Sequence, residues 1–296
     1  MLSSERPARP RVLAIGGPTA AGKTAASLDI AERYGAVILS ADAMQVYAGM
    51  DIGTAKATPT ERRGVAHFGL DVVTPDQPFD AAAFVRLADR VMADHDRVVV
   101  VGGTGMWMQA LVRGLVETPA VDPVLRRSLE NDPDLWTRLQ QVDPVLAARL
   151  HPSDRVRLVR GMEVWIQSGR RLSDLQADHA AAPDRRDVAG VWLDRADLDA
   201  RIDARVLQMM DGGYLKEVRG LLDTYDRSLK PMQSLGYRHL ADHLLDGVPL
   251  DETVRRTQRD SRGFARKQRT WLRKLGWPRE EGDHRAAVAS AAERIW

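Results

Sequence analysis

The segment spanning residues 11–24, RVLAIGGPTAAGKT, contains the spacing G-x-x-x-x-G-K-T. The apolar residues 12–15 predict a short buried strand, and residues 25–34 have a helical composition. A strand, a glycine-containing loop and a helix in this order are typical of a loop that binds phosphate groups. Backbone N–H groups turn towards the phosphates, and the helix N-terminus adds the positive end of its dipole. The spacing therefore predicts a diphosphate or triphosphate ligand together with Mg²⁺.

Each position of this loop has an expected task. Lys23 is expected on the outer phosphates, and the Thr24 hydroxyl is the expected Mg²⁺ ligand. An ordinary glycine-rich turn is the alternative, and the flanking strand and helix argue against it. The predicted diphosphate-binding residues are Gly17, Pro18, Thr19, Ala20, Ala21, Gly22, Lys23 and Thr24.

Length and composition limit the class of protein. A chain of 296 residues is long enough for an α/β core and a second module. No apolar run approaches the roughly 18 residues of a membrane span, and the polar first ten residues predict no signal peptide. The absence of cysteine excludes disulfides and thiolate chemistry. We expect a soluble, cytoplasmic monomer, with structural roles for His67, His151 and His179.

Basic residues are concentrated near the C-terminal end. The segment 254–274 contains nine basic residues and one acidic residue, Asp260, although the net charge of the chain is only +2. Phe264 and Trp271 are interleaved with these charges. Such a stripe favours binding of a nucleic-acid backbone. The alternative is a solvated helix whose charges are paired with acids elsewhere in the chain.

The apolar pattern predicts an α/β fold, a doubly wound parallel sheet like that of P-loop NTPases, with a helical insertion domain. Strands are predicted at 12–15, 36–40, around 70–73, at 98–101 and at 188–193, with helices between most of them. Residues 1–116 and 186–296 form the predicted catalytic core. Residues 117–185 form the predicted insertion, in which Asp-Pro dipeptides begin helices. Further helices are predicted around 197–225, 236–246 and 250–274.

Asp42 directly follows the second predicted strand, where the ligand crevice of such a sheet opens. Its carboxylate has three possible roles from position alone: Mg²⁺ ligand, general base or cap of the following turn. After the strand at 98–101 the chain has Gly102, Gly103 and Thr104 instead of the acidic residue that many nucleotide hydrolases carry there. This difference argues against motor-type NTP hydrolysis.

Five segments together resemble the tRNA dimethylallyltransferases. They are GPTAAGKT (17–24), SADAMQVYAGMDIGTAK (40–56), VVGGTGMW (100–107), SLGYR (234–238) and RKQRTWLR (266–273). The matches follow the family order from residue 12 to about 274. Ala43 stands where the family usually has Ser, and Met106-Trp107 where it usually has Leu-Tyr. Both differences concern the shape of the pocket.

The resemblance implies transfer of a dimethylallyl group from dimethylallyl diphosphate to N6 of adenosine 37 in the anticodon stem-loop of tRNA. By match with the family, Asp42 is the general base, Lys23 and Arg219 contact the diphosphate, and Thr104 holds the extruded nucleotide. Met44, Gln45, Met106 and Trp107 are expected to line the channel between the prenyl tail and the base, and the alternative for the Met and Trp residues is an ordinary position in the core.

The resemblance also implies a set of tRNA contacts on several segments. Single-stranded loops are where proteins read RNA sequence, which suits an anticodon target. The implied contacts are Asp42, Ala43, Met44, Gln45, Thr104, Arg126, Arg157, Arg160, Gln233, Ser234, Leu235, Gly236, Tyr237, Arg238, Arg266, Lys267, Gln268, Arg269, Thr270, Trp271, Leu272 and Arg273.

Two other functions compete with this interpretation. A nucleoside or small-molecule kinase would use the phosphate loop and a helical lid, but leaves the basic C-terminal stripe without a task. A non-catalytic RNA-binding module that uses a nucleotide as a switch would bind RNA and make no product.

Overall fold

The computed structural model describes residues 11–282 and 284–296. The first ten residues, on which the expectation about a signal peptide rests, lie outside the described residues, as does Asp283. The described strands are β1 (Arg11–Gly16), β2 (Val37–Ser40), β3 (His67–Phe68), β4 (Arg97–Gly102), β5 (Val188–Asp194) and β6 (Arg279–Glu281). They form one sheet in the order β3-β2-β4-β1-β5-β6, and all its pairings are parallel.

Strand β1 lies at the centre of the sheet, between β4 and β5. Its side chains alternate between two cores, with Val12 and Ala14 in one and Leu13 and Ile15 in the other. Apolar residues are needed at every position because helices cover both faces of the sheet. The predicted α/β class with a doubly wound parallel sheet is confirmed.

Helices separate most of the strands in the described chain, but β2 and β3 follow each other directly, and four helices lie between β5 and β6. The helices packed with the sheet are α1 (Lys23–Tyr34), α2 (Ala81–Asp94), α3 (Gly105–Arg113), α9 (Leu198–Asp211), α10 (Tyr214–Leu222), α11 (Tyr237–Asp246), α12 (Leu250–Arg273) and α13 (His284–Glu293). Among the described residues, every helix is too short or too polar to cross a lipid bilayer.

Two features of the sheet differ from the prediction. The strand expected around 70–73 lies a few residues earlier, as β3 (His67–Phe68). The chain bends after it, because Gly69 and Asp71 have φ angles of 78° and 53°, and Val73 makes only a single bridge with Tyr47. Strand β6 was missed because its sequence, REE, has no apolar pattern. It is held instead by Arg279, whose guanidinium donates to the buried Asp194 carboxylate at 2.7 Å.

The chain divides into two compact units. One reaches as far as Arg113 and resumes at Arg185, and the other is Gly114–Asp184; the sequence prediction for the insertion was 117–185. The second unit contains α4 (Pro123–Glu130), α5 (Leu135–Val142), α6 (Pro144–Ala147), α7 (Arg155–Ser168) and α8 (Leu172–Ala181). As predicted for the Asp-Pro dipeptides, Asp122 and Asp143 cap α4 and α6, whereas α5 begins one residue after Asp134, which makes no side-chain cap.

Parallel strands place all their carboxyl ends at one edge of the sheet. The phosphate loop follows β1, Asp42 follows β2, the turn 102–104 follows β4, and Asp194 ends β5. The fold therefore brings together segments that are far apart in sequence, at the edge where ligands bind in open α/β sheets.

Candidate active site

The phosphate loop between β1 and α1 requires small residues. Ala20 and Gly22 have left-handed φ angles of 63° and 94°. A Cβ atom on Gly17 would lie 2.8 Å from the carbonyl oxygen of Leu193. The carbonyl of Ala20 accepts a hydrogen bond of 3.0 Å from Arg201 Nε, which turns that oxygen towards a cation. This curvature is what a backbone cradle for phosphate needs.

Lys23 and Thr24 open helix α1 at the end of this loop. The Lys23 ammonium donates to the carbonyl of Pro18 at 2.8 Å, so the side chain folds back over the loop. The Thr24 side chain is exposed. Both residues thus lie where the sequence predicted a phosphate contact and a Mg²⁺ ligand.

Lys23 shares its surroundings with Arg205 of α9 and with Asp42. Burial and the charge of Arg205 lower the pKa of Lys23 to about 8, and the Asp42 carboxylate opposes this shift. Burial also lowers the pKa of Arg205, again against the influence of Asp42. The two cations and the carboxylate therefore influence one another electrostatically, and a bound anion with several negative charges would relieve the repulsion between the cations.

Arg205 was not among the residues predicted from the sequence, which named Arg219 as the second cation. Arg219 lies exposed on α10, and no recorded interaction of the described residues connects it with the phosphate loop. The charge of Arg205 acts on Lys23 and is itself influenced by Asp42, which makes Arg205 a further candidate, and the diphosphate contact of Arg219 stays a prediction. A signal for Arg205 existed in the sequence: Arg201 and Arg205 are one turn apart on the helix that follows the last core strand.

Asp42 caps the turn that follows it through one carboxylate oxygen, Oδ1, and its other oxygen accepts no hydrogen bond from the described residues. Its Oδ1 accepts the N–H groups of Met44 at 2.9 Å and Gln45 at 3.4 Å. Among the hydrogen bonds of the described residues, none uses Oδ2. Asp42 therefore does cap the following turn, which was one of its three possible roles. The cap fixes the carboxylate in an orientation that leaves Oδ2 available as an acceptor.

Thr104 fastens the Asp42 segment to the end of β4. Its Oγ1 accepts the Ala43 N–H at 3.0 Å, and its own N–H donates to the carbonyl of Ala41 at 3.3 Å. A Cβ on Gly102 would lie only 2.2 Å from that same carbonyl. The Thr104 hydroxyl acts as acceptor in this contact, which leaves its O–H proton to donate to a substrate.

Two residues that were expected to line the channel make contacts within the protein instead. Trp107 is 2% exposed and stacks on Phe84 at a ring distance of 4.8 Å, so its assignment to the channel was wrong. Gln45 is a brace, because its Oε1 accepts from Ser40 and its Nε2 donates to the carbonyl of Thr54. Met106 is exposed, and Ala43 and Met44 are half-buried against the core.

The segment after Asp42 is anchored by a half-buried carboxylate. Glu217 accepts the N–H groups of residues 51–53 at 2.7–3.1 Å and the Tyr237 hydroxyl at 2.7 Å. Lys56, almost wholly buried, donates to Asp51 and Asp71. Sequence reasoning missed Glu217 and Lys56, and it placed Tyr237 on RNA. That placement was wrong, because Tyr237 is 1% exposed.

Several other predicted tRNA contacts belong to the interior. Leu272 is fully buried and Gln268 is 6% exposed, so neither side chain can reach a nucleic-acid backbone, and Gly236 is buried as well. Arg269 grips the buried Asp194 carboxylate through Nε and Nη2 at 2.7–3.0 Å. Arg238 is half-buried and pairs with Asp260.

Some of the basic residues of the segment 254–274 form ion pairs with acids, and others are exposed without an acidic partner among the described residues. Five of its arginines pair with acids, as Arg255–Asp251, Arg256–Glu252, Arg259–Asp260, Arg262–Asp203 and Arg269–Asp194. Arg266, Lys267 and Arg273 are exposed and form no ion pair in the part of the chain that the structure describes. We call these three residues the basic face of α12. Thr270 is exposed beside them, and the Lys274 ammonium lies 4.8 Å from the Trp271 ring centre.

In the second unit, two of the arginines that were predicted to contact RNA form hydrogen bonds with a buried carboxylate. Arg126 makes two hydrogen bonds of 2.8 and 2.7 Å to Glu163, and Arg160 adds one of 3.2 Å. Burial raises the pKa of Glu163, but the two arginines outweigh it and the net pKa is lowered. Arg157 is largely exposed and pairs with Asp154. The RNA contacts of these three arginines stay predictions.

The residues present fit a Mg²⁺ ion that arrives with its ligand. Among the described residues, no group of three His, Asp or Glu side chains is placed to hold a metal ion. Mg²⁺ in phosphate sites commonly takes one or two protein oxygens and fills its other positions with phosphate oxygens and water. The exposed Thr24 hydroxyl at the end of the loop suits that arrangement.

Comparisons with known proteins agree on one family. The family model described as "IPP transferase" matches residues 45–275. The chain is 44% identical over 288 residues to tRNA dimethylallyltransferase 1 of Syntrophotalea carbinolica, covering 93% of this chain and 92% of that protein. It is similar to the crystal structure of a tRNA isopentenylpyrophosphate transferase from Bacillus halodurans, with a TM-score of 0.71, 31% identity, and 96% and 95% of the two chains covered. A eukaryotic dimethylallyltransferase acting on tRNA shares the fold, with a TM-score of 0.82, 24% identity, and 96% of this chain and 77% of that chain covered.

The lowered pKa of Lys23 predicts how diphosphate binding depends on pH. A bound diphosphate stabilises the ammonium, so affinity falls as the pH rises through about 8, where Lys23 in the unliganded protein loses its proton. Calorimetric titration of inorganic diphosphate with Mg²⁺ between pH 6.5 and 9.5 measures this. Lys23→Arg is the matched control, because its charge does not titrate and its profile reports the ionisation of the ligand alone. Parallel profiles for the two proteins would contradict the prediction.

Arg205 and Arg219 are separated by the same titration. Arg205→Met should weaken diphosphate binding by roughly 10- to 100-fold, the range for a lost charge-assisted contact. It should also raise the pKa of Lys23, because the Arg205 charge lowers it. Arg219→Met should leave the pKa of Lys23 close to wild type, because Arg219 is not among the charges that shift it. A loss of diphosphate affinity in Arg219→Met would support the contact that the resemblance implies, and an unchanged affinity in Arg205→Met would contradict the role of Arg205.

Proposed function

This chain belongs to the IPP transferase family, and we propose that it transfers a dimethylallyl group from dimethylallyl diphosphate to N6 of adenosine 37 in tRNA, releasing diphosphate. The observation that carries the proposal is the placement of the Asp42 carboxylate beside a phosphate loop guarded by two cations, Lys23 and Arg205. Displacement of diphosphate by an amine requires a base that takes the proton of the amine and, close to it, a positively charged site that binds the diphosphate.

In the proposed reaction, the adenine N6 attacks C1 of the dimethylallyl group. The C1–O bond breaks, and its electron pair leaves with the diphosphate. The N6 lone pair is delocalised into the ring, so removal of its proton as the C–N bond forms lowers the barrier. Asp42 Oδ2 is the acceptor for that proton, while Oδ1 stays occupied by the N–H groups of Met44 and Gln45.

The leaving diphosphate is stabilised by groups that are in place before the reaction. Lys23, Arg205 and the N–H groups of the phosphate loop form a fixed positive field at the end of β1. When Mg²⁺ is bound through Thr24 and the diphosphate, it supplies further positive charge to the leaving oxygens. The Thr104 hydroxyl orients the extruded adenine, because its proton is available to a substrate acceptor.

The tRNA backbone is bound by the basic face of α12. Arg266, Lys267 and Arg273 are exposed and without acidic partners among the described residues, whereas the arginines at the start of the helix are paired. Backbone contacts of this kind position RNA without reading its sequence. The target adenine is extruded from the anticodon loop to reach Asp42.

One assay tests the proposal and its alternatives. The protein is incubated with isotope-labelled dimethylallyl diphosphate, Mg²⁺ and unmodified tRNA, and the label is followed into RNA. Label in the RNA that maps to N6 of adenosine 37 supports the proposal. Phosphoryl transfer from ATP with no labelled RNA would support a P-loop kinase, and RNA binding without any product would support a non-catalytic module.

The role of Asp42 predicts a loss of turnover without a loss of binding. Asp42→Asn keeps the Oδ1 acceptor for the cap but cannot take the proton, so kcat should fall by about 100-fold or more while tRNA affinity changes little. Single-turnover rates and filter-binding affinities measure the two quantities, and a melting temperature checks the fold. A wild-type kcat in this variant would remove Asp42 from the mechanism.

The basic face predicts a specific salt dependence. Replacing Arg266, Lys267 and Arg273 with Ala should lower the slope of log K against log salt by about 0.7–0.9 for each lost phosphate contact, for all tRNAs alike. The matched control replaces Arg255, Arg256 and Arg259, three paired arginines on the same helix. Both variants lose the same charge. Equal slopes for the two triple variants would show that the face acts only through its net charge.

A further inference from the structure

Gln268 lies in the segment that resembles an RNA-binding motif, but its side chain faces the interior. Its Oε1 accepts the backbone N–H of Thr19 at 2.9 Å. Its Nε2 donates to the carbonyl of Gly103 at 3.1 Å. The residue is 6% exposed, and both ends of its amide are satisfied within the protein. Gln268 is therefore not a reader of RNA.

The two partners of Gln268 belong to the two halves of the active site. Thr19 is part of the phosphate loop after β1. Gly103 precedes Thr104 in the turn after β4, and that turn holds the segment carrying Asp42. The amide thus directly connects the phosphate loop with the turn 102–104. We call this turn the acceptor turn, because it holds the segment whose Asp42 would face the adenine that accepts the prenyl group.

The neighbours of Gln268 on α12 pack against the same two segments. A Cβ on Gly103 would lie 2.2 Å from Gln268 Nε2, one on Gly105 would lie 2.7 Å from Trp271 Cβ, and one on Gly16 would lie 2.7 Å from Leu272 Cδ2. Glycine at these positions allows the helix to approach the strand ends closely. A close-packed contact transmits position because interiors have little free volume.

The other side of the same helix turn carries the basic face. At about 100° per residue, Arg266 and Arg273 lie roughly 200° behind and 140° ahead of Gln268 around the helix. They point to solvent while Gln268 points to the loops. The RNA-facing and loop-facing groups are separated only by the width of the helix.

We propose that Gln268 is a positioning residue, which holds the phosphate loop and the acceptor turn at a fixed spacing and ties both to the RNA-bound helix. The part of this inference that concerns the RNA-bound helix rests on the proposed function. A neutral amide of this length accepts from Thr19 and donates to Gly103 at once. Asn is shorter, and an ionised carboxylate cannot donate.

The test compares Gln268→Met with Thr257→Val. Thr257 is equally buried on α12 and hydrogen-bonds His239 and the Thr253 carbonyl, away from both loops. Gln268→Met should weaken binding of inorganic diphosphate with Mg²⁺ and lower kcat/KM for the prenyl donor by about 10- to 100-fold, as small misplacements do. Its tRNA affinity without donor should equal that of wild type. Thr257→Val should lower the melting temperature to a similar extent and leave all three quantities unchanged.

Gln268→Glu gives an independent readout that a purely structural loss would not move. When protonated, its carboxyl reproduces the amide, with a C=O that accepts from Thr19 and an O–H that donates to Gly103. Burial raises the pKa of such a carboxyl. The ratio of its kcat/KM to that of wild type should therefore rise as the pH falls from 8 to 6, and the titrations of groups shared by both proteins cancel in this ratio.

Three results would overturn the inference. They are unchanged diphosphate affinity and donor kinetics in Gln268→Met, equal losses in Thr257→Val, and a tRNA affinity in Gln268→Met that drops without donor present. The diphosphate titration needs no RNA, so it decides the role of Gln268 even where wild type labels no tRNA, an outcome that would overturn the proposed function alone.

Discussion

The close approach of helix α12 to the carboxyl ends of β1 and β4 is the constraint on which the rest of the site depends. It is possible because Gly16, Gly103 and Gly105 have no side chains in the contact. It is maintained by the buried Asp194 carboxylate, which accepts hydrogen bonds from Arg269 of α12 and from Arg279 of β6. One buried acid therefore holds both the long helix and the edge strand against the sheet.

Electrostatics explains why Asp194 remains an anion in the interior. Burial raises its pKa, but Arg269, the Arg195 N–H and Arg279 outweigh that effect, and the net pKa is lowered. A buried carboxylate is tolerated when its lone pairs are satisfied by such partners. Arg269 is committed to this structural bond, so the basic face of α12 consists of Arg266, Lys267 and Arg273, which are exposed and form no ion pair among the described residues.

Local motifs explain how much of the site could be predicted from the sequence. The phosphate loop and the cap by Asp42 involve neighbouring residues, so their spacing alone was informative. Arg205 and Glu217 act across more than 160 residues, on Lys23 and on the N–H groups of 51–53, and no local pattern encodes such contacts. Matching a motif gave the position of Gln268 but not the side of the helix that it faces. Likewise, β6 is held by an ion pair, and no apolar pattern signals it.

The charges around the phosphate loop suit a ligand that carries several negative charges. Lys23 and Arg205 repel each other, and burial limits the water that would screen them, so the pKa of Lys23 falls. Asp42 offsets part of this repulsion without forming an ion pair with either cation among the described residues, which leaves its Oδ2 available. A bound diphosphate would replace Asp42 as the main counter-charge of the two cations. In the proposed reaction this counter-charge lies on the leaving group, so the Asp42 carboxylate would be available to take the proton from the attacking amine.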